Sequence, residues 1–143
     1  YTAVDVNGVR LVFIDNSTYE ILPDQLDFFR AQVKSALPMI LYMHIPLYVP
    51  GRSIGFGCGN PDWCAANDHS WEIERREPWR ESGHTQVTLD FHREVFDASN
   101  LLMVMAGHMH VHSIDVVNGI PQVVSALNAL GYYTDVRIQS VRS

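Results

Sequence analysis

Leu101-Leu102-Met103-Val104-Met105-Ala106-Gly107-His108-Met109-His110 is the stretch on which the reading of the fold turns. Its six consecutive apolar residues suit a strand covered on both faces, because such strands lack the apolar–polar alternation of a half-exposed sheet. The run stops at a glycine and two histidines. A second apolar run, Met39-Ile40-Leu41-Tyr42-Met43, stops at His44 in the same way. Two central strands that both end in histidine place imidazoles where ligands gather in open α/β sheets, beyond the carboxyl ends of the strands.

Outward from these strands the chain resolves into alternating elements. Thr2 to Val6 and Val9 to Asp15 are β-rich and are joined by Asn7-Gly8, a pair suited to a type I′ turn with positive φ at both central residues. Leu22-Pro23-Asp24-Gln25 reads as a helix start, with proline tolerated in the first turn. Leu26, Phe29, Val33 and Leu37 then recur at helical spacing until Pro38 ends the pattern. Gln86 to Ala98 reads as a second helix, with Val87, Phe91 and Val95 on one face. Ser113 to Val117 and Ile120 to Ser125 flank Asn118-Gly119 as a second hairpin, and Tyr132 to Gln139 is expected to supply a last strand. Strands alternating with helices and flanked by hairpins predict an α/β domain, a mixed sheet with flanking helices.

Composition narrows the classes. With 143 residues the chain is long enough for one domain with a real core, and 47 % hydrophobic against 18 % charged residues argues against disorder. A net charge of −6 predicts no nucleic-acid binding surface, which needs a basic stripe to displace counterions from phosphates. No apolar run approaches membrane-spanning length, so no membrane segment is expected. The first residue is Tyr1 rather than Met, which reads as a processed product or a fragment, with residues 1–143 as a single segment.

Gly107-His108-Met109-His110 is the strongest local signal; a Gly-His-x-His is expected by chance only about 0.02 times in a chain of this composition. Neutral imidazole is the commonest metal ligand. Glycine before the pair lets the backbone turn sharply and approach an ion. Two histidines two apart at a strand exit can address two adjacent ions. The alternative is a pair of solvent-facing loop histidines. His44 alone would read as a structural group, but its place after a second central strand sets it beside His108 if the strands are neighbours. His44, His108 and His110 are therefore the candidate metal ligands. They could also share a single zinc, as in three-histidine catalytic sites.

These residues resemble the C-terminal half of a calcineurin-like metallophosphoesterase. The resemblance covers essentially the whole chain: the opening hairpin, the Leu22-Pro23-Asp24-Gln25-Leu26 helix start, His44-x-Pro46, Gly107-His108-x-His110 and the closing hairpin at Asn118-Gly119-Ile120-Pro121. It implies the C-terminal half of a four-layer α/β/β/α sandwich, this chain supplying one sheet and its helical layer. It implies phosphoester hydrolysis at a dinuclear centre of two divalent or trivalent ions (Fe, Mn, Zn or Ni), with His44 and His108 on one ion and His110 on the other. In such centres paired ions clamp the phosphoryl oxygens and turn bound water into a nucleophile at neutral pH. The family's upstream motifs, Gly-Asp-x-His, Gly-Asp-x-x-Asp and Gly-Asn-His-Glu or Asp, have no counterpart: the chain contains no Gly-Asp dipeptide, and Gly59-Asn60 is followed by Pro61. The bridging aspartate, the asparagine ligand and the proton-donating histidine would have to come from other sequence. The chain alone is then expected to be inactive, and to associate with itself or with a complementary N-terminal half. The rival reading is a non-catalytic metal-binding or interaction domain that has lost hydrolysis.

Between the two histidine-bearing strands, Ile45 to His84 is a 40-residue insertion without clear periodicity, broken by a short helix expected around Trp71 to Arg76. It holds all three tryptophans, Trp63, Trp71 and Trp79, with Arg52, Arg75, Arg76 and Arg80. Such residues could stack an organic group and grip a phosphate, with Arg52, Trp63, Trp71 and His84 as candidate substrate-binding residues. Equally, the tryptophans could form a satellite core that shapes the insertion, the reading that buried aromatics favour; His84 then reads as a solvent-exposed loop residue. Cys58 and Cys64 form either a local disulfide, which would favour a secreted or periplasmic setting, or two free thiols. Asp15 and Asn16, at the end of the first buried strand, are read as supports for the rim of the site.

Overall fold

Asn7-Gly8 and Asn118-Gly119 turn with positive φ at both central residues, 50° and 82° in the first and 51° and 81° in the second, the type I′ geometry expected of them. They join β1 (Thr2–Val6) to β2 (Val9–Ile14) and β5 (Ser113–Val117) to β6 (Ile120–Val124) as antiparallel pairs. Between the hairpins run α1 (Pro23–Lys34), β3 (Met39–Met43), α2 (Gln86–Val95) and β4 (Leu101–Ala106). The six strands form one mixed sheet in the order β1-β2-β3-β4-β6-β5, in which β2, β3, β4 and β6 are parallel. The computed structural model, which describes residues 1–18, 20–47, 49, 84–109 and 112–139, is an α/β fold with helices flanking a mixed sheet.

Each helix begins where its sequence provides for the first turn. Pro23 opens α1, and the Gln25 side chain accepts from the Leu22 N–H at 2.8 Å. α1 ends at Lys34, so Leu37 lies beyond it. α2 is capped by Thr85, whose hydroxyl accepts from the Thr88 N–H at 3.3 Å. The expected helix to Ala98 stops at Val95. Asp97, Ser99 and Asn100 favour turns over helix interiors, and the Ala98 N–H bonds back to the Val95 carbonyl while Ala98 stays in the core.

Both helices cover one face of the sheet. Val12, Ile14, Met39, Leu41, Met43, Leu101, Val104 and Ile120 meet Leu26, Phe29, Phe91 and Val95 there. Phe29 and Phe91 lie edge to face with centroids 5.0 Å apart, the arrangement their ring quadrupoles favour. At the rim of that contact Arg30 donates two hydrogen bonds to Glu94, at 2.9 and 2.6 Å. This fork holds the Glu94 carboxyl below, and the Arg30 guanidinium above, their ordinary ranges.

The opposite face is also apolar. Ile40, Met105 and Val123 are buried with Val9, Leu11, Tyr42, Met103 and Val136 around them, and Phe13 stacks on Tyr42 at 4.9 Å. Cross-strand pairs Val4↔Leu11 and Ile114↔Val123 carry this face to both edge strands, where Val4, Ile114 and Val116 are exposed. The expected strand over Tyr132 to Gln139 does not form. The segment instead lies over the second face, with Val136 packed in its cluster and Thr134 bonded to Ser125. β4 departs from full burial at Leu102, where the register against β3 shifts between Met39 and Ile40 and leaves that side chain 41 % exposed. Among the described residues no helix is long and apolar enough to cross a membrane.

The two faces differ in what they contribute to stability. Phe91→Ala is expected to cost about 3–5 kcal/mol, as for a fully enclosed aromatic, whereas Val116→Ala should stay within about 0.5 kcal/mol. Urea unfolding followed by circular dichroism measures both.

Candidate metal centre

Because β2, β3, β4 and β6 run parallel, their carboxyl ends share one edge, and the chain leaves that edge at Asp15-Asn16, His44, Gly107-His108 and Ser125. β3 and β4 are direct neighbours, so the two strand-end histidines come side by side. The ladder runs one bond past the strands: the Gly107 N–H donates to the His44 carbonyl at 3.1 Å. His44 Nε2 and His108 Nδ1 then stand 3.1 Å apart, with the rings nearly edge to face at 74°. His44 is exposed and His108 half-buried.

The backbone is strained at this point. His108 has φ +63°, a left-handed value that crowds the Cβ of any L residue, and the Met109 N–H bonds to the Gly107 carbonyl at 2.6 Å across it. The sharp turn expected of Gly107 is therefore made by the histidine that follows. A Cβ at Gly107 would stand 3.9 Å from the His44 carbonyl oxygen, an ordinary contact, so the approach of the two strands does not demand glycine there.

The pair fits a metal ion on its donor chemistry. Two nitrogens that ligate one ion at about 2.0–2.1 Å lie about 2.9 Å apart at a right angle and about 3.3 Å apart at the tetrahedral angle. The observed 3.1 Å falls between. The same spacing without an ion is a hydrogen bond from one ring N–H to the other ring's lone pair. Among the described residues no group of three or more His, Cys, Asp or Glu is gathered as ligands. His110 lies outside the described residues, as do Arg52, Trp63, Trp71, Cys58, Cys64 and the helix expected around Trp71 to Arg76.

Buried carboxamides hold the exit of β3. Asn16 is fully buried; its Oδ1 accepts from the N–H groups of His44 and Ile45 at 3.0 Å each, and its Nδ2 donates to the Ile45 carbonyl at 2.9 Å. Two residues on, Gln122 does the same for Leu47, accepting from its N–H at 2.7 Å and donating to its carbonyl at 2.9 Å. Asn16 was expected at the rim. Gln122 was not, although a lone amide inside the apolar run Ile120-Pro121-Gln122-Val123-Val124 is a signal that could have found it. Asp15 faces outward beside His44; the Ser17 backbone N–H, then the Ser17 hydroxyl and the nearby His44, hold its carboxyl below the usual range.

His84, expected in solvent, has a side chain only 3 % exposed, and its Nδ1 meets Glu20 at 3.1 Å. The Glu20 carboxylate also accepts from the Thr85 N–H at 3.1 Å and from the hydroxyls of Thr85 and Thr88. These donors, with the N-terminal end of α2, make a site for negative charge. The contacts described for His84 thus fasten the start of α2 to the loop after β2. Burial pushes the Glu20 carboxyl up, but the bonds from Thr88, Thr85 and His84 outweigh it, and the group titrates below the ordinary glutamate range.

No protein-family model matches the chain. No curated protein matches it either. The functional reading therefore rests on the geometry of this edge and on the motifs themselves.

The Glu20 anchor gives a prediction with a definite sign. A depressed carboxylate contributes stability that is fully present above the unfolded value of about 4.3 and is lost as pH falls through the lowered folded value. Glu20→Gln should therefore cost about 1–3 kcal/mol at pH 7, with the gap to the unmutated protein closing as pH drops below about 4.3. Thermal melts of both proteins between pH 3 and 7 measure it.

Proposed function

We propose that this chain is the histidine-bearing half of a metallophosphoesterase. The observation that carries the reading is the convergence of His44 and His108 from the exits of adjacent parallel strands at the spacing of two ligands on one ion. The strained backbone at His108 supports it, because energy stored at a strand exit is characteristic of functional positions. The motif pair His44-x-Pro46 and Gly107-His108-x-His110 supplies the family. An apolar second sheet face that reaches both edge strands supports the four-layer sandwich, since such a face packs on a second layer about 10 Å away.

In this reading His44 and His108 would hold one ion and His110 a second, which would supply a more acidic water and positive charge to offset that of a phosphoester's oxygens. The chain's own part is to hold the two imidazoles at ligand spacing; the ring that donates in the metal-free contact would give up the proton on that nitrogen, by a change of tautomer, for both to ligate. Gly107 and Asn16 fix the backbone of His44 from both sides, and the turn at Met109 fixes that of His108. Imidazoles add no negative charge, so a site for two dications would need carboxylates as well. A complementary N-terminal half supplies these, together with the proton donor for the leaving group. The substrate-side residues Arg52, Trp63 and Trp71 belong to the insertion, which sets substrate choice.

One observation favours a second reading, a metal-binding or interaction domain without hydrolysis: among the described residues no carboxylate completes a ligand group with the histidine pair. The two are separated by metal content and an aryl phosphate assay, on this chain and on a chain extended upstream. The 143-residue chain is expected to hold one ion rather than two and to leave the aryl phosphate intact, while the extended protein hydrolyses it. His44→Ala and His108→Ala should each weaken zinc binding at least about 100-fold in calorimetry, as loss of a direct ligand requires. Zinc binding unchanged in both variants refutes the centre, and an inactive extended protein that still binds zinc favours the second reading.

A further inference from the structure

We infer that Asn16 is the positioning residue of this centre, setting the imidazole of His44 against that of His108, and that Gln122, though built alike, has no such part. The inference deepens the reading of the histidine pair as the working edge of the protein.

At His44 the chain leaves the sheet. Its own N–H and the N–H and carbonyl of Ile45 then lose their ladder partners, and a buried peptide left unpaired is costly. A β2 continuing past Ile14 could have satisfied them; Asn16 does so with a side chain. All three of its hydrogen bonds fall on the single dipeptide His44-Ile45. The carbonyl of the same His44 is taken from the other side by the Gly107 N–H, and Gly107 leads directly into His108. One row of hydrogen bonds therefore crosses three strand ends, from Asn16 through the His44 peptide and Gly107 to His108. Removing its first member frees the peptide that aims His44, while the turn at His108 keeps its own bond.

Gln122 provides the matched comparison. It is equally buried and bonds the N–H and carbonyl of one residue in the same exit segment, but that residue is Leu47. None of its bonds falls on a histidine peptide or on Gly107. A role limited to satisfying buried backbone would make the two carboxamides equivalent. A positioning role makes them differ.

The test compares Asn16→Ala and Gln122→Ala in the full chain, with thermal melts to match the loss of stability. Long-range proton–nitrogen spectra of the imidazoles in the metal-free protein report the His44–His108 contact, and calorimetry with zinc alone reports affinity. Asn16→Ala is expected to abolish the contact and weaken zinc binding about 10–100-fold, the range for residues that orient a ligand. Gln122→Ala should keep the contact and bind zinc within about twofold of the unmutated protein. Asn16→Asp, which keeps the acceptor for both N–H groups, should restore the contact while remaining less stable. Equal effects of the two alanine variants on the contact, or none from Asn16→Ala, overturn the inference. Should Asn16→Ala fail to fold, Asn16→Ser, too short to reach the peptide, takes its place in the same comparison. If the unmutated protein keeps the contact but binds no zinc, the metal reading falls, and the inference is decided on the metal-free spectra alone.

Discussion

The structure depends on the parallel pairing of β3 with β4. It is the innermost pairing of the sheet, and both strands are enclosed by apolar residues on the helical face and in good part on the other. A slip of one residue would move every side chain to the opposite face, and with both faces apolar it is the fit of particular side chains into close-packed surroundings that holds the register. That register decides where the strands end relative to each other. It puts His44 opposite Gly107 and so sets two imidazoles within contact of each other. A shift of one residue in either strand would dissolve the pair without altering any residue in it.

Much of this was legible in the chain because the determining features are local or periodic. Asn7-Gly8 and Asn118-Gly119 specify their turns through φ alone. Pro23 and Gln25 specify where α1 begins, and Phe29, Phe91 and Val95 specify which helix faces are buried. The histidines were found because they stop apolar runs. The run at Tyr132 to Gln139 misled because strand propensity describes a side-chain pattern, whereas a strand needs a free sheet edge to pair with. Here the segment packs Val136 onto the second face of the sheet rather than pairing with either edge strand. The bulge at Leu102 was equally hidden, since a continuous apolar run carries no alternation from which a slipped register could be read.

What the sequence conceals most is the polar scaffolding of the site. Asn16 and Glu20 lie in the same short stretch between β2 and α1, among residues that favour turns, and their composition gives no hint that one is fully buried and the other collects four donors. Their partners are 28 to 29 and 64 to 68 residues away. Hydrogen bonds of that reach depend on topology, which is written in the apolar pattern of the whole chain rather than in the residues that make the bonds. His84 illustrates the point: a histidine after glycine reads as a surface residue until the fold delivers Glu20 to it.

The apolar second face and the histidine edge belong to one problem. The helices that bury the first face stand away from the second, which the 132–139 segment covers only in part. In the proposed reading the layer that covers this face also supplies the carboxylates the histidines lack. Its strands would end near the same edge, because sheets packed face to face keep their strand directions within about 30° of each other. Docking of that layer and binding of ions are then linked equilibria. Ions that require ligands from both halves favour their association, and by reciprocity association raises the affinity for ions by the same factor. Imidazoles suit the half that carries them for this reason. As ligands they bring no negative charge of their own, so the unpaired half does not carry the mutual repulsion of clustered carboxylates.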